Sequence, residues 1–399
     1  MGKPITTFAE LMDPVTPETF MAEYYGQKPL HIPGGADKFS TILSWQGFTE
    51  LLDMTGIWTA ASLKMKLDRR DVPPPLYCTR TVDRNQQNTW QPIPAKVSEF
   101  ARRGASLVCN EIETLTPGLR SVTGVLEQTF NGRANCNLYC SWKDRQAFDS
   151  HYDKHEVFAL FLEGEKRWRL YEGRIDNPIH HAMFANQTQE YLDGQKGRVA
   201  AEVTTRPGDL LYIPRGQFHD ALATGQASLH VTFALAVPNG LTLLTDAWER
   251  AAANPLFRAD LPAPSDPGYE AKLSAHLEAL RDAFAGVISG PGWAERAKQV
   301  QRSYLVPRHA YDMPSPAGAE GFRVRDDAPK LVRRGPDWML KGNNGAIPLA
   351  NGEHERVAWI AERSRFSESE LTAAFPLLDA AERGRFLEQM TGHGLIEAV

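Results

Sequence analysis

Long apolar runs are missing from this 399-residue chain, so no segment reads as a membrane-spanning helix. The opening ten residues also lack an apolar core of secretory length. Cysteine is scarce: Cys78, Cys109, Cys136 and Cys140 are the four. Cys136 and Cys140 lie four apart in an expected strand, a spacing unlike that of a zinc knuckle, and reduced, buried thiols are expected instead. These absences point to a cytoplasmic protein. Charge of one sign is not in excess either, with 44 Lys and Arg against 49 Asp and Glu, and a net charge of −5 gives no footprint for a nucleic-acid-binding body. No internal repeat or low-complexity tract is present.

What is there describes a folded protein: 42% hydrophobic and 23% charged residues, over a length that calls for two or three domains. The nine tryptophans suit β-rich, pocket-forming domains. Early in the chain, Thr16-Pro17 and Thr116-Pro117 each place a hydroxyl N-cap before a proline suited to the first helical position, and the second predicts a helix toward Phe130. From 135 to 237 the pattern is β. Strands are expected at 135–141, 151–162, 167–171, 198–204, 210–213 and 227–237, separated by glycine turns at Glu163-Gly164-Glu165 and Arg206-Pro207-Gly208-Asp209. The fold class expected is α+β, built on a double-stranded β-helix of the cupin type. Residues 254–269 are proline-rich and read as a linker or elaborated loop. Helices are expected at 271–288 and 293–304, then at 353–363, 367–375 and 380–389, before a strand edge near 394–397. The last three helices and the strand edge suit a winged-helix-like module. Its final 49 residues hold nine Asp/Glu against five Arg/Lys, which favours protein contact over DNA reading.

The chemistry concentrates in His151-Tyr152-Asp153. Residues two apart share one face of a strand, which would set an imidazole beside a carboxylate. A second imidazole, His219, ends the strand-like run from Gly208. Two histidines and one carboxylate leave several positions on a metal open, the arrangement of non-haem Fe(II) oxygenases. His151, Asp153 and His219 are therefore the expected ligands. His155, two residues on from Asp153, could replace one of them but is expected to shape the pocket. His230 is expected to be a satisfied interior histidine. In Lys166-Arg167-Trp168-Arg169, alternation sets Lys166 inward with Trp168 and Leu170, while Arg167 and Arg169 suit a solvated edge. An inward lysine needs an anionic partner, and the distal carboxylate of 2-oxoglutarate would supply one. Asn137, Tyr139 and Thr232 could add neutral hydrogen bonds around it.

These residues resemble a known family, the JmjC-type ribosomal oxygenases. The likeness is carried by His151-Tyr152-Asp153-Lys154-His155-Glu156-Val157-Phe158, by 162–171, by Pro207 to Gly216 with His219, by His230-Val231-Thr232, and by Tyr25-Gly26-Gln27-Lys28-Pro29-Leu30. It covers roughly residues 14–237. It implies Fe(II) on His151, Asp153 and His219, and 2-oxoglutarate held by Lys166 with Asn137, Tyr139 and Thr232 lining the pocket. It further implies a catalytic domain at 1–240, a helical dimerisation region at 241–315 and a C-terminal domain at 316–399, in a homodimer that hydroxylates arginine or histidine of a ribosomal protein. The segment 140–148 departs from the family pattern and borders the substrate mouth. Rival readings are a cupin isomerase or cosubstrate-free dioxygenase, a non-catalytic cupin regulator and, adjacent in chemistry, a demethylase.

Overall fold

A computed structural model describes residues 4–82, 86–142, 148–224, 227–305, 321–335, 337–342, 345–350 and 352–399. The chain divides into two compact units, Met1–Pro307 and Arg308–Val399.

The first unit is built around seven strands labelled here in chain order: β1 Arg133–Trp142, β2 Glu156–Glu163, β3 Lys166–Arg174, β4 Val199–Thr205, β5 Leu210–Ile213, β6 Gln217–Ala223 and β7 Ala227–Ala236. All of their pairings are antiparallel. A broad sheet runs in the order Leu30–Ile32, β5, β2, β7, β1, Ser106–Cys109, Leu63–Leu67, Arg70–Asp71, while a narrow sheet runs β4-β3-β6. Leu63–Leu67 and Arg70–Asp71 extend the barrel beyond the strands that alternation marks. Double-stranded β-helix architecture is thus present within a mixed α and β chain.

Period-two alternation explains where the cores lie. Along β2, Phe158, Leu160 and Leu162 join the large core outside the barrel, while Val157, Ala159 and Phe161 join an inner cluster with Trp168 and Leu170. Along β5 the same division separates Leu210 and Tyr212 from Leu211 and Ile213. The outer core is closed by the helix Pro117–Phe130, whose Leu119, Val122 and Leu126 are fully buried at the expected i, i+3, i+7 spacing. Its N-cap is Thr116, which accepts from the Leu119 amide, and it ends on Asn131 in the left-handed region. Thr16 likewise caps the helix Pro17–Glu23.

Between β2 and β3 the chain turns on Gly164 at φ +70°, where a Cβ would lie 1.9 Å from the Ala227 carbonyl oxygen, so the close hairpin requires glycine. After β7, the helix Gly240–Ala251 begins with an Asn239/Thr242 capping box and packs with Tyr269–Ser289 and Trp293–Ser303. Among the described residues, no helix is long and apolar enough to cross a membrane.

The second unit has its own core around Leu340, Val357, Ile360, Phe366, Leu371, Phe386 and Met390. Two three-stranded sheets, Gly321–Val324 between Arg365–Ser367 and Ile396–Ala398, and Asp337–Gly342 between Lys330–Arg334 and Gly345–Pro348, accompany the three expected helices.

Candidate metal centre

The expected strand starting at residue 151 is corrected: β2 begins at Glu156. His151 instead forms an isolated antiparallel bridge with His219, its amide donating to the His219 carbonyl at 3.0 Å and its carbonyl accepting from the His219 amide at 2.9 Å. One residue pair further, the Gly216 amide donates to the Asp153 carbonyl at 2.8 Å. The segment holding His151 and Asp153 therefore leans on β6 of the narrow sheet before crossing into β2 of the broad one. His219, in turn, does not end a strand. The run from 208 breaks at Pro214 and at Gly216, which sits at φ +82° with the Ile175 carbonyl where a Cβ would go; β5 lies before the break and β6 after it. Backbone pairing, rather than a shared strand face, brings the three residues together.

The result is a compact cluster. One ligand atom each from His151, Asp153 and His219 lies within 4.8 Å of the others, and His219 Nε2 is 3.5 Å from Asp153 Oδ2. Each imidazole is oriented by a backbone carbonyl: His151 Nδ1 sits 2.8 Å from the Asp149 oxygen and His219 Nδ1 3.0 Å from the Gln217 oxygen. A carbonyl can only accept, so Nδ1 carries the proton and the Nε2 lone pair is free for a metal. Burial lowers the His219 pKa to about 4, keeping the ring neutral. Burial works to raise that of Asp153, but the His155, His151 and His219 rings outweigh it and hold the carboxyl below its ordinary value. A neutral imidazole and an ionised carboxylate are the states that ligation requires. His155 lies outside the cluster, with Nε2 3.9 Å from Asp153 Oδ1.

The cluster opens into a cavity of about 150 Å³, lined also by Asn137, Tyr139, Lys166, His230 and Thr232. An engineered apolar cavity of similar size accepts benzene, so a small molecule fits. Lys166 points inward as alternation requires: it is 5% exposed, between half-buried Glu165 and exposed Arg167. No carboxylate pairs with it among the described residues; its Nζ lies 5.9 Å from the Tyr139 ring and 5.8 Å from that of Trp168. Burial drives its pKa down to about 7. Burial, reinforced by Asp153, raises that of Tyr139, which keeps its hydroxyl proton. Asn137 Oδ1 accepts from the Glu111 amide at 3.2 Å.

His230 differs from its expectation. It is interior, stacked between Tyr139 at 5.0 Å and Phe161 at 5.2 Å, yet its Nδ1 has no hydrogen-bond partner. Trp168 Nε1, on another wall of the cavity, is equally unpaired. Unpaired buried polar atoms are costly, and beside an unpaired ammonium they describe a pocket shaped for a polar, anionic guest. The alternating pattern marked Trp168 as inward but held no sign that its indole N–H would lack an acceptor. Of the segment 140–148, residues 143–147 lie outside the described residues. Phe148 stands at the cavity wall, 5.9 Å from the His151 ring.

The JmjC domain family matches residues 116–243, the stretch that contains β1 to β7 and all three clustered ligands. This chain carries a JmjC domain. Over 235 residues it is 30% identical to the bifunctional lysine-specific demethylase and histidyl-hydroxylase NO66 of Aedes aegypti, covering 57% of this chain and 34% of that protein. It is 29% identical over 228 residues to ribosomal oxygenase 1 of Gallus gallus, covering 56% and 36%. The chain thus spans about a third of the length of the curated relatives it matches. Among solved structures, Escherichia coli YcfD is similar in fold, with a TM-score of 0.50 at 16% identity over 96% of this chain and 98% of that one. The match takes in the seven barrel strands and the three clustered residues; the helices after residue 243 lie outside it.

Proposed function

We propose that this chain is a 2-oxoglutarate- and Fe(II)-dependent oxygenase that hydroxylates a side chain of a protein or peptide, with a ribosomal protein as substrate class and arginine or histidine as target. One observation carries the choice among metal-binding barrels: Lys166 is a buried ammonium without a carboxylate partner among the described residues, in the same small cavity as two histidines and an aspartate. A cupin isomerase or cosubstrate-free dioxygenase acting on a neutral substrate would leave that charge unpaired. A dicarboxylate pairs with it. The names of the relatives, histidyl-hydroxylase and ribosomal oxygenase, support the same reaction class.

His151, Asp153 and His219 would hold the metal, each imidazole through Nε2. Bound Fe(II) with 2-oxoglutarate and oxygen supplies the conversion of a substrate C–H to C–OH, with succinate and carbon dioxide as the other products. Lys166 Nζ donates a charge-assisted bond to the distal carboxylate of the cosubstrate. Tyr139, kept protonated by burial, has a hydroxyl donor to offer the same guest, and Asn137 and Thr232 add neutral polar groups. Phe148, Val157 and Trp168 exclude water from the cavity walls. Incubation with Fe(II), 2-oxoglutarate and oxygen should release succinate beyond a His219→Ala control, and mass spectrometry of ribosomal proteins should find a peptide that gains one oxygen only when the protein is present. Equal succinate from both proteins contradicts the proposal.

The divisions 1–240 as catalytic, 241–315 as dimerisation and 316–399 as a winged-helix-like, protein-contacting module belong to the same proposal. Leu241, Leu244 and Trp248 stand exposed at i, i+3, i+7 on the helix Gly240–Ala251, a face suited to a second copy of this chain in a cytoplasmic homodimer. No role in binding nucleic acid is proposed.

A further inference from the structure

Two of the three candidate ligands are each followed or preceded by a residue that faces the other way. Where His151 and His219 pair across their bridge, the preceding Ser150 and the following Asp220 meet on the opposite side of the backbone. Ser150 Oγ donates to Asp220 Oδ2 at 2.7 Å. Asp220 is 2% exposed, and its carboxylate also accepts from Tyr171 OH at 2.6 Å, from Arg169 Nε at 2.7 Å and from Arg169 Nη2 at 3.0 Å. Arg169 stands directly opposite Asp220 in the β3/β6 register, just as Leu170 stands opposite His219. The sequence suited Arg169 to a solvated edge; it is instead half of a bidentate ion pair. Gln189 Nε2 completes the set by donating to the Ser150 carbonyl at 2.9 Å.

The arrangement has a mechanical consequence. His219 belongs to β6 and is fixed by the sheet. His151 belongs to no strand, and its backbone is tied to β6 by the single bridge and the adjoining Gly216–Asp153 bond. The Ser150–Asp220 bond is a side-chain tie across that same bridge, and a bidentate arginine prevents the Asp220 carboxylate from rotating. We propose that Asp220, locked by Arg169 and Tyr171 and joined to Ser150, is a positioning residue that sets the separation of the His151 and His219 imidazoles. It touches neither metal nor substrate. The inference rests on the metal-centre reading above.

Metal affinity is the readout, because partners that orient ligands are worth about 10–100-fold in binding when removed. Ser150→Ala deletes the tie together with the longer Ser150 Oγ contacts to Tyr171 OH at 3.2 Å and Lys196 Nζ at 3.4 Å, whereas Asp220→Asn keeps the shape and weakens the lock. Ser106→Ala, which cuts the buried Ser106–Ser141 bond in the broad sheet, serves as control for lost stability. Co(II) is titrated into each metal-free protein, following its visible absorption, and thermal midpoints are taken without metal. We expect Ser150→Ala and Asp220→Asn to weaken Co(II) binding by about tenfold or more and to alter the Co(II) band. Ser106→Ala should lose comparable thermal stability yet bind as the wild type does. Co(II) affinity in Ser150→Ala and Asp220→Asn equal to that of the wild type, or reduced only as far as in Ser106→Ala, overturns the inference. If wild type and His219→Ala bind Co(II) alike, the metal reading itself fails, and that outcome is distinct.

Discussion

In the broad sheet, β2 buries its side chains on both faces, one against the helical core and the other toward the barrel interior. In the narrow sheet, β3 buries every second side chain at its start: Lys166, Trp168 and Leu170 face in, while Arg167 is exposed and Arg169 is half-buried over Asp220. The broad sheet spends most of its buried positions on side chains such as Phe158, Leu160, Phe161 and Phe233, although His230 of β7, its Nδ1 unpaired, also faces the cavity; the narrow sheet contributes the buried Lys166 ammonium, the His219 imidazole and the unpaired Trp168 indole N–H. The broad sheet supplies most of the cohesion, and the narrow sheet holds the buried cation that cohesion alone would reject. A real difference of this kind predicts that substitutions in the two sheets move different observables.

The largest effect on stability is expected in the broad sheet. Phe158→Ala removes a ring that touches Phe8, Phe20, Phe130 and Tyr212, and should cost about 3–5 kcal/mol in chemical denaturation while leaving 2-oxoglutarate affinity of the folded fraction unchanged. The mirror experiment lies in the narrow sheet. Lys166→Ala should raise the dissociation constant for 2-oxoglutarate by about 30-fold or more, equivalent to truncating one side of a buried charge pair, with the fold retained by circular dichroism. If either variant moves both observables equally, the division of labour between the sheets is wrong.

A subtler consequence concerns the ligand-free protein. With no dicarboxylate, Lys166 is a burden, so Lys166→Met should stabilise that state by about 1–4 kcal/mol while abolishing tight 2-oxoglutarate binding. The sign of the pH dependence follows from a folded-state pKa of about 7, below the ordinary 10.5. The cost of burying the charge is fully present below pH 7 and is relieved as the pH rises toward 10.5, because the unfolded chain then holds the extra proton. The stability gap between Lys166→Met and wild type should therefore narrow across that window, as read by denaturant midpoints at several pH values. A gap that widens would mean that Lys166 has an anionic partner in the free protein. Smallest of all, Arg198→Ala breaks an exposed pair with Glu172 on the outer face of the narrow sheet and should leave the thermal midpoint unchanged within error.

The same contrast governs what was legible in the sequence. Lys166 could be placed because β3 has one wet face, so alternation reveals which residues point inward. On β2 the apolar run conceals its two faces, since both are buried and the period vanishes. The ligand set was legible by residue type, although by a route the structure corrects: His151 and Asp153 meet His219 through backbone pairing across the sheets, which no local pattern records. Strands such as Lys330–Arg334 and Gly345–Pro348 were missed because charge and glycine mask alternation there. The helix Gly240–Ala251 falls within the region 241–315 expected to be helical, but its bounds were not marked, even though Asn239 and Thr242 carry a recognisable capping signal. Unpaired atoms such as His230 Nδ1 have no sequence signature, because a missing partner is a property of three-dimensional neighbours.

Calorimetric titration of 2-oxoglutarate into the Fe(II)-loaded protein without oxygen tests the site most directly. We expect one equivalent to bind to the wild type, binding sharply weakened in Lys166→Ala, and no metal-dependent binding in His219→Ala. Equal heats from all three proteins would contradict the shared site of metal and dicarboxylate on which the proposed oxygenase rests.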